Sequence, residues 1–194
     1  VSGPRRISFG PRQEYRLSGS GGQGLQLAAV ILAEAATASG KEVVQTQSYG
    51  PEARGGASRS EVIISDWPID FPELESPDVT LCLSQPAWES FAAGTRRGGL
   101  VVYESELVTA GALDGVASYG APFTAIARRE AGTPLAANVV SLAALAQISG
   151  ALPREALEEA LRARLPKRLL EANLKAFAAG WEAARDGAGG ASGD

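Results

Sequence analysis

The sequence predicts an α/β protein: a mostly parallel sheet flanked by helices, with a helical C-terminal segment. Three observations predict it. Apolar runs of strand length alternate with helical periodicity from Tyr15 to Ala127. A glycine-rich loop joins the first such run to the first helix. From Leu135 to Arg185 three helical patterns follow one another with no strand between them.

The elements follow in order. Tyr15–Leu17 is a short strand running into Gly19-Ser20-Gly21-Gly22-Gln23-Gly24. From Gly24 to Ser39 the apolar residues Ala28, Ile31, Leu32 and Ala35 fall at i, i+3, i+4 and i+7, one face of a helix. Gly40 is a fitting stop. Val43–Thr46 restarts a strand, so the opening reads as a βαβ unit and the fold as Rossmann-like. Ser48–Ser58 is a polar, glycine-rich loop, and Arg59–Ser65 is a strand. Its continuous Val62-Ile63-Ile64 predicts burial on both faces. Trp67–Pro77 carries three prolines and reads as loop. Val79–Leu83 is the next strand, and a short helix from Pro86 to Ala93 places Pro86 in its first turn. Leu100–Tyr103 is a strand after the Gly98-Gly99 turn. Thr109–Tyr119 has no clear pattern, and Phe123–Ala127 reads as the last strand. Helices are then expected at Leu135–Ser149, Arg154–Arg164 and Lys167–Arg185. One domain over residues 14–186 accounts for this, with disordered ends at 1–13 and 187–194.

Composition excludes much chemistry. The 194 residues contain no histidine and one cysteine, Cys82. That removes Ser-His-Asp and Cys-His catalysis, imidazole metal ligation, internal disulfides, and an iron–sulfur cluster held by this chain alone. The net charge of −4 announces no nucleic-acid surface. No run approaches the roughly 20 apolar residues of a membrane span. Residues 1–13 carry no apolar stretch for a signal peptide, so a cytoplasmic location is expected. No catalytic and no metal-binding residue is assigned.

Chemistry can live at three places. The loop Gly19–Gly24 satisfies G-x-G-x-x-G through Gly19, Gly21 and Gly24, with Gly22 and Gln23 between. Glycines let backbone approach a ligand, and the following helix offers unpaired N–H groups and a positive dipole end, which suits phosphate. A dinucleotide site also needs a carboxylate about 20 residues on, for the ribose hydroxyls. Gln45, Thr46 and Gln47 stand there instead. The other reading is a glycine turn required by close helix–strand packing. The second place is the loop after the second strand, with Ser48, Tyr49, Gly50, Arg54, Gly55 and Gly56 as candidate binding residues. Arg54 beside two glycines is an anion clamp, or a surface arginine paired with Glu52 or Glu61. The third is Ser84-Gln85 at the end of the Val79–Leu83 strand, whose side chains either contact ligand or cap the next helix. All three belong to the carboxyl edge of a parallel sheet, where ligands of open α/β folds bind. Cys82, inside an apolar strand, reads as a core thiol. Asp66, Asp70 and Asp78 read as loop and cap residues, and Trp88, Phe91, Phe177 and Trp181 as packing or interface.

Two stretches together are more specific than either alone. GSGGQG opening a helix, followed by SYGPEARGGASRSEVIISD, closely resembles the gamma subunit of the 2-oxoacid:ferredoxin oxidoreductases. Ile69-Asp70-Phe71-Pro72, Gly98-Gly99-Leu100-Val101-Val102-Tyr103, Asn138 and Glu171-Ala172-Asn173-Leu174-Lys175-Ala176-Phe177 extend the likeness over residues 14–185. The form GPEARGGASRSEVIIS is more similar to the 2-oxoglutarate type than to the pyruvate or indolepyruvate types. The resemblance implies one subunit of a hetero-oligomer that oxidatively decarboxylates a 2-oxoacid, uses coenzyme A and reduces ferredoxin. It implies alpha, beta and in some complexes delta partners, which carry thiamine diphosphate, magnesium and the iron–sulfur clusters. It implies no cofactor held by this chain alone, and a coenzyme A-facing surface on it. Coenzyme A brings a pyrophosphate and a 3′-phosphate, so the missing ribose carboxylate is less of a contradiction. Two alternatives stay open: a purely structural subunit, and a stand-alone nucleotide-binding module.

Overall fold

The computed structural model describes residues 9–48 and 57–187. Six strands form one sheet: β1 (Arg12–Ser20), β2 (Glu42–Ser48), β3 (Ala57–Ser65), β4 (Val79–Cys82), β5 (Leu100–Glu104) and β6 (Ala117–Ala121). Their spatial order is β2-β3-β1-β4-β5-β6. The β1–β4, β4–β5 and β5–β6 pairs are parallel, whereas β3 runs antiparallel to both β1 and β2. The α/β class and the mostly parallel sheet are as expected. The opening is not an adjacent βαβ unit, because β3 is inserted between β1 and β2.

Among the described residues six α-helices complete the fold: α1 (Leu25–Ala38), α2 (Gln85–Phe91), α3 (Phe123–Ala131), α4 (Ala137–Ser149), α5 (Arg154–Arg164) and α6 (Lys167–Gly187). They divide unequally between the faces. α1 and α4 lie on one face of the sheet, and α3, α5 and α6 pack outside them as a third layer. α4 is therefore buried all round, from Asn138 to Ser149. That explains its mostly apolar, alanine-rich surface, free of charged residues, which lets neighbours approach closely. Among the described residues the other face carries α2, the 3-10 turn Ala92–Gly94 that follows it and, over β5, the segment containing Val108, Leu113 and Val116.

Strand alternation sorts the core accordingly. Tyr15, Leu17, Val62, Ile64, Val79, Leu81, Leu100 and Val102 meet the main helical layer. Cys82, Val101 and Tyr103 meet Trp88 of α2, whose ring stands edge-on to Tyr103 at 5.2 Å. Val62, Ile63 and Ile64 are all buried, as the unbroken run predicts.

One predicted element is wrong. Phe123–Ala127 is not a strand but the start of α3. Phe123, Ile126 and Ala127 are its buried residues, spaced i, i+3 and i+4 as in a helix. Gly132 ends it in the left-handed conformation at φ 70°. The last strand lies just before it, at Ala117–Ala121, overlapping the stretch that has no clear pattern. β6 is an edge strand with only Ala121 buried, so it needs no apolar run to form. Other boundaries shift by a few residues: β1 starts at Arg12, before the expected Tyr15, and α6 continues to Gly187. Among the described residues no helix is long and apolar enough to cross a membrane.

Candidate functional site

The carboxyl ends of β1, β2, β4 and β5 share one edge of the sheet with the amino end of β3. Ser48 pairs with Arg59, Ser20 with Ala57, and Ser18 with both Arg59 and Cys82. The structure therefore brings Gly19–Gly24, Ser48 and Ser84-Gln85 to one edge, as expected. Tyr49, Gly50, Arg54, Gly55 and Gly56 lie outside the described residues. β2 ends at Ser48, and β3 begins at Ala57, which pairs with Ser20 of the glycine loop.

The glycine loop splits into two kinds of position. Gly19 and Gly24 are dictated by packing. A Cβ on Gly19 would collide with the Gln23 side chain, which folds back beneath the loop. Gln23 Oε1 accepts from the Ser20 N–H at 2.6 Å, and its Nε2 donates to the Leu83 carbonyl at 3.0 Å. Gly24 precedes α1 in the left-handed conformation, φ 71°, and its carbonyl accepts from Asn138 Nδ2 at 3.1 Å. Gly21 and Gly22 differ. Both are exposed, and a Cβ on either would meet nothing within 4 Å. Their backbone, with the first N–H groups of α1 just beyond, is the part of the loop open to a ligand or partner.

Ser84 and Gln85 carry local duties. Ser84 Oγ accepts from the Ala87 N–H at 3.4 Å as the N-cap of α2. Gln85 Oε1 accepts from the Thr109 N–H at 2.8 Å, and its Nε2 donates to Glu89 at 3.0 Å. Of the two readings of these residues, the described geometry displays the capping one.

Two residues at this edge were not in the predicted site. The first is Asn138, which braces Gly24 and so couples α4 to the start of α1. Its polar amide at the head of a mostly apolar helix without charged residues is a signal that could have found it. The second is Arg59. It stands on the strand next to β1, where an adjacent βαβ unit would have put the second strand and its ribose carboxylate. Arg16 Nε donates to Glu61 Oε1 at 2.8 Å, while Arg59 Nε lies 3.4 Å from the same oxygen without a hydrogen bond. Both guanidiniums sit 5.6 Å from the centroid of the Phe91 ring. Among the described residues two arginines share one carboxylate here, a formal excess of one positive charge. Only the three-dimensional neighbours of Arg59 show this.

Glu104 ends β5 with 1% exposure, and its oxygens accept from the Thr124 and Glu106 N–H groups at 2.7 and 3.1 Å. It caps α3. A small cleft of about 180 Å³ lies among Gly22, Gln23, Leu83 and Thr124, with the exposed Leu107 and Leu135 also lining it. Cys82 is buried beneath this edge. Burial pushes its thiol up to about 12, and the Ser18 hydroxyl opposes that only in part. A thiol so held is no nucleophile near neutral pH.

An α/β sheet with its glycine loop and capped strand ends at one carboxyl edge defines the class: an open α/β domain of the kind whose ligands bind along that edge. The chain belongs to the pyruvate ferredoxin/flavodoxin oxidoreductase family, whose model matches residues 14–183. It is 48% identical over 185 residues to subunit KorC of 2-oxoglutarate synthase from Methanocaldococcus jannaschii, covering 94% of this chain and 98% of that one. It is 44% identical to the corresponding subunit from Archaeoglobus fulgidus, covering 90% of each. Among solved structures, the gamma subunit of a keto/oxoacid ferredoxin oxidoreductase from Geobacter sulfurreducens superposes with a TM-score of 0.80 at 43% identity, covering 89% of this chain and 98% of that one. The resemblance to the gamma subunit, read from the loops, is borne out.

Proposed function

We propose that this chain is the gamma subunit of a thiamine diphosphate-dependent 2-oxoacid:ferredoxin oxidoreductase acting on 2-oxoglutarate, and that its carboxyl edge faces coenzyme A. The reaction joins 2-oxoglutarate and coenzyme A into succinyl-CoA, releasing carbon dioxide and a proton and passing two electrons to ferredoxin. Thiamine diphosphate, with its magnesium, supplies the carbanion chemistry from partner subunits, and iron–sulfur clusters there carry the electrons. Cys82, the only cysteine, is buried in a strand, which accords with clusters held elsewhere.

The observation that carries the coenzyme A reading is the exposed Gly21–Gly22 backbone at the start of α1, on the same sheet edge as Arg59, which shares the Glu61 carboxylate with Arg16. Coenzyme A is an anion at both its pyrophosphate and its 3′-phosphate. Backbone N–H groups at a helix start, with a fixed cation near them, suit such a group. The cleft of about 180 Å³ is smaller than the roughly 300–1,000 Å³ of small-molecule pockets, so it suits one segment of so large a ligand. This chain then binds and orients coenzyme A and contributes charge, with no general base of its own.

The test is steady-state kinetics of the assembled complex. Arg59→Ala and Arg54→Ala are each expected to raise KM for coenzyme A about tenfold, the worth of one charge-assisted hydrogen bond. The KM for 2-oxoglutarate should stay unchanged. An unaltered coenzyme A KM in both variants sinks this role. A structural reading has its own support, since packing alone accounts for Gly19 and Gly24. It is favoured if the variants lower the yield of assembled complex and leave every KM as it was.

A further inference from the structure

The loop between β3 and β4, residues 66–77, lies at the opposite edge of the sheet from the glycine loop. Ser65, at the end of β3, pairs with Arg12, at the start of β1. The loop is held firmly. The Asp66 N–H donates to the Pro11 carbonyl at 3.0 Å, and the Trp67 N–H to Ser65 Oγ at 3.0 Å. Arg12 Nη2 donates to the carbonyls of Phe71 and Glu73 at 3.1 and 3.4 Å. Pro68, Pro72 and Pro77 restrict it further.

Yet this fixed loop turns its largest apolar groups to water. Trp67 is 67% exposed and Phe71 72% exposed. Two aromatic rings held out on a stiff backbone add little burial to the fold. The stiffness does reduce the ordering cost of docking, and Trp is enriched among the residues that dominate interface energy. Beside Phe71 runs a groove of about 400 Å³, lined also by Arg12, Glu14, Glu73, Glu75 and Ser76.

Among the described residues the charge left unpaired on this loop is negative. Arg12 is paired with Glu14, Lys41 with Asp66 and Arg96 with Asp78. Asp70, Glu73 and Glu75 are exposed and have no ion-pair partner among the described residues. Three carboxylates with no ion-pair partner among the described residues therefore share the loop with the two aromatics, in a chain whose net charge is −4.

We infer that Trp67 and Phe71 anchor this chain to another subunit of its complex, at a surface whose apolar pocket is rimmed by arginine or lysine. The aromatics supply the buried centre and the carboxylates the polar rim, which steers and orients the encounter. The inference rests on the reading of this chain as one subunit of a hetero-oligomer. It also divides the molecule: ligand chemistry at the carboxyl edge, anchorage at the opposite edge.

The experiment compares three forms coexpressed with the partner subunits: wild type, Trp67→Ala/Phe71→Ala, and Asp70→Lys/Glu73→Lys/Glu75→Lys. Native mass spectrometry reads the fraction assembled, and thermal melts of the isolated chains read folding. Both variants are expected to melt as wild type does and to lose at least about tenfold in assembled complex, as for interface hot spots. The charge-reversed form should lose most at low salt. Wild-type assembly by both variants overturns the inference while leaving the subunit reading intact. Failure of the wild type to assemble overturns both. Normal assembly with a lowered melting temperature means that the chain's own first eight residues cover the patch, and also overturns it. So does a wild-type homodimer that the variants abolish, since the partner is then a second copy.

Discussion

Gly24 is held by two constraints at once. Its φ of 71° is costly for any residue with a Cβ, by about 1–2 kcal/mol. A Cβ there would also strike the amide of Asn138. Gly24→Ala is therefore expected to destabilise by at least about 1–2 kcal/mol, seen as a lower denaturation midpoint. A double-mutant cycle with Asn138→Ala separates the causes. Removing the Asn138 amide should relieve the collision and leave the backbone cost, so the double variant is less destabilised than the two singles summed. Strict additivity would show that the collision is absent. The sequence marks Gly24 as special through its motif. It does not say that the reason lies 114 residues away, because Asn138 meets Gly24 only when α4 lies against α1. Arg59 makes the same point for charge. Its one-residue context is an ordinary polar strand, and its surplus charge follows from sharing Glu61 with Arg16 on the neighbouring strand.

At the scale of elements, α5 is held partly by ion pairs. Arg154 and Arg162 lie four residues on either side of Glu158 and both bond its carboxylate, at 2.7 and 3.1 Å. Burial opposes the charged form of Glu158, and the two guanidiniums outweigh it, holding the carboxyl below its usual range. A group with a lowered folded-state pKa stabilises fully above its unfolded pKa, and loses that contribution as pH falls through the folded one. Wild type should therefore exceed Glu158→Gln in stability near neutrality by less than about 1 kcal/mol, because the pairs are partly open to water. The difference should vanish as pH falls through and below the ordinary carboxylate range. A gap unchanged by acid, in melts taken across that range, would exclude the ion-pair account. α5 was legible to its exact bounds, since its pattern is local and amphipathic. β6 and α3 were not. An exposed edge strand carries little apolar signal, and the five residues Phe123–Ala127 are too few to separate a strand from a helix until Gly132 is counted as the helix stop.

For the whole molecule, the third helical layer depends on a close approach. A Cβ on Gly180 of α6 would collide with the Val140 carbonyl of α4, which is backbone and yields little. Gly180→Ala should cost about 1–3 kcal/mol by overpacking. At about 2–4 °C per kcal/mol for a domain of this size, the melting temperature falls by several degrees. One shifted transition is expected, because α4 joins the outer helices and the sheet in a single core. An unchanged melting temperature would mean that α6 can slide away from α4 at no cost.

The sequence by itself determined the α/β class, nearly every helix, the carboxyl-edge loops and the family, because periodicity, glycine punctuation and contiguous motifs are local. Tertiary structure alone decided that β3 enters the sheet reversed between β1 and β2, that five of the described α-helices load one face and one the other, and that Arg59 stands on the strand beside β1 where a dinucleotide fold carries its ribose carboxylate. A strand's apolar pattern states that it will be buried. Which neighbour it bonds to, and in which direction, is settled by residues far along the chain.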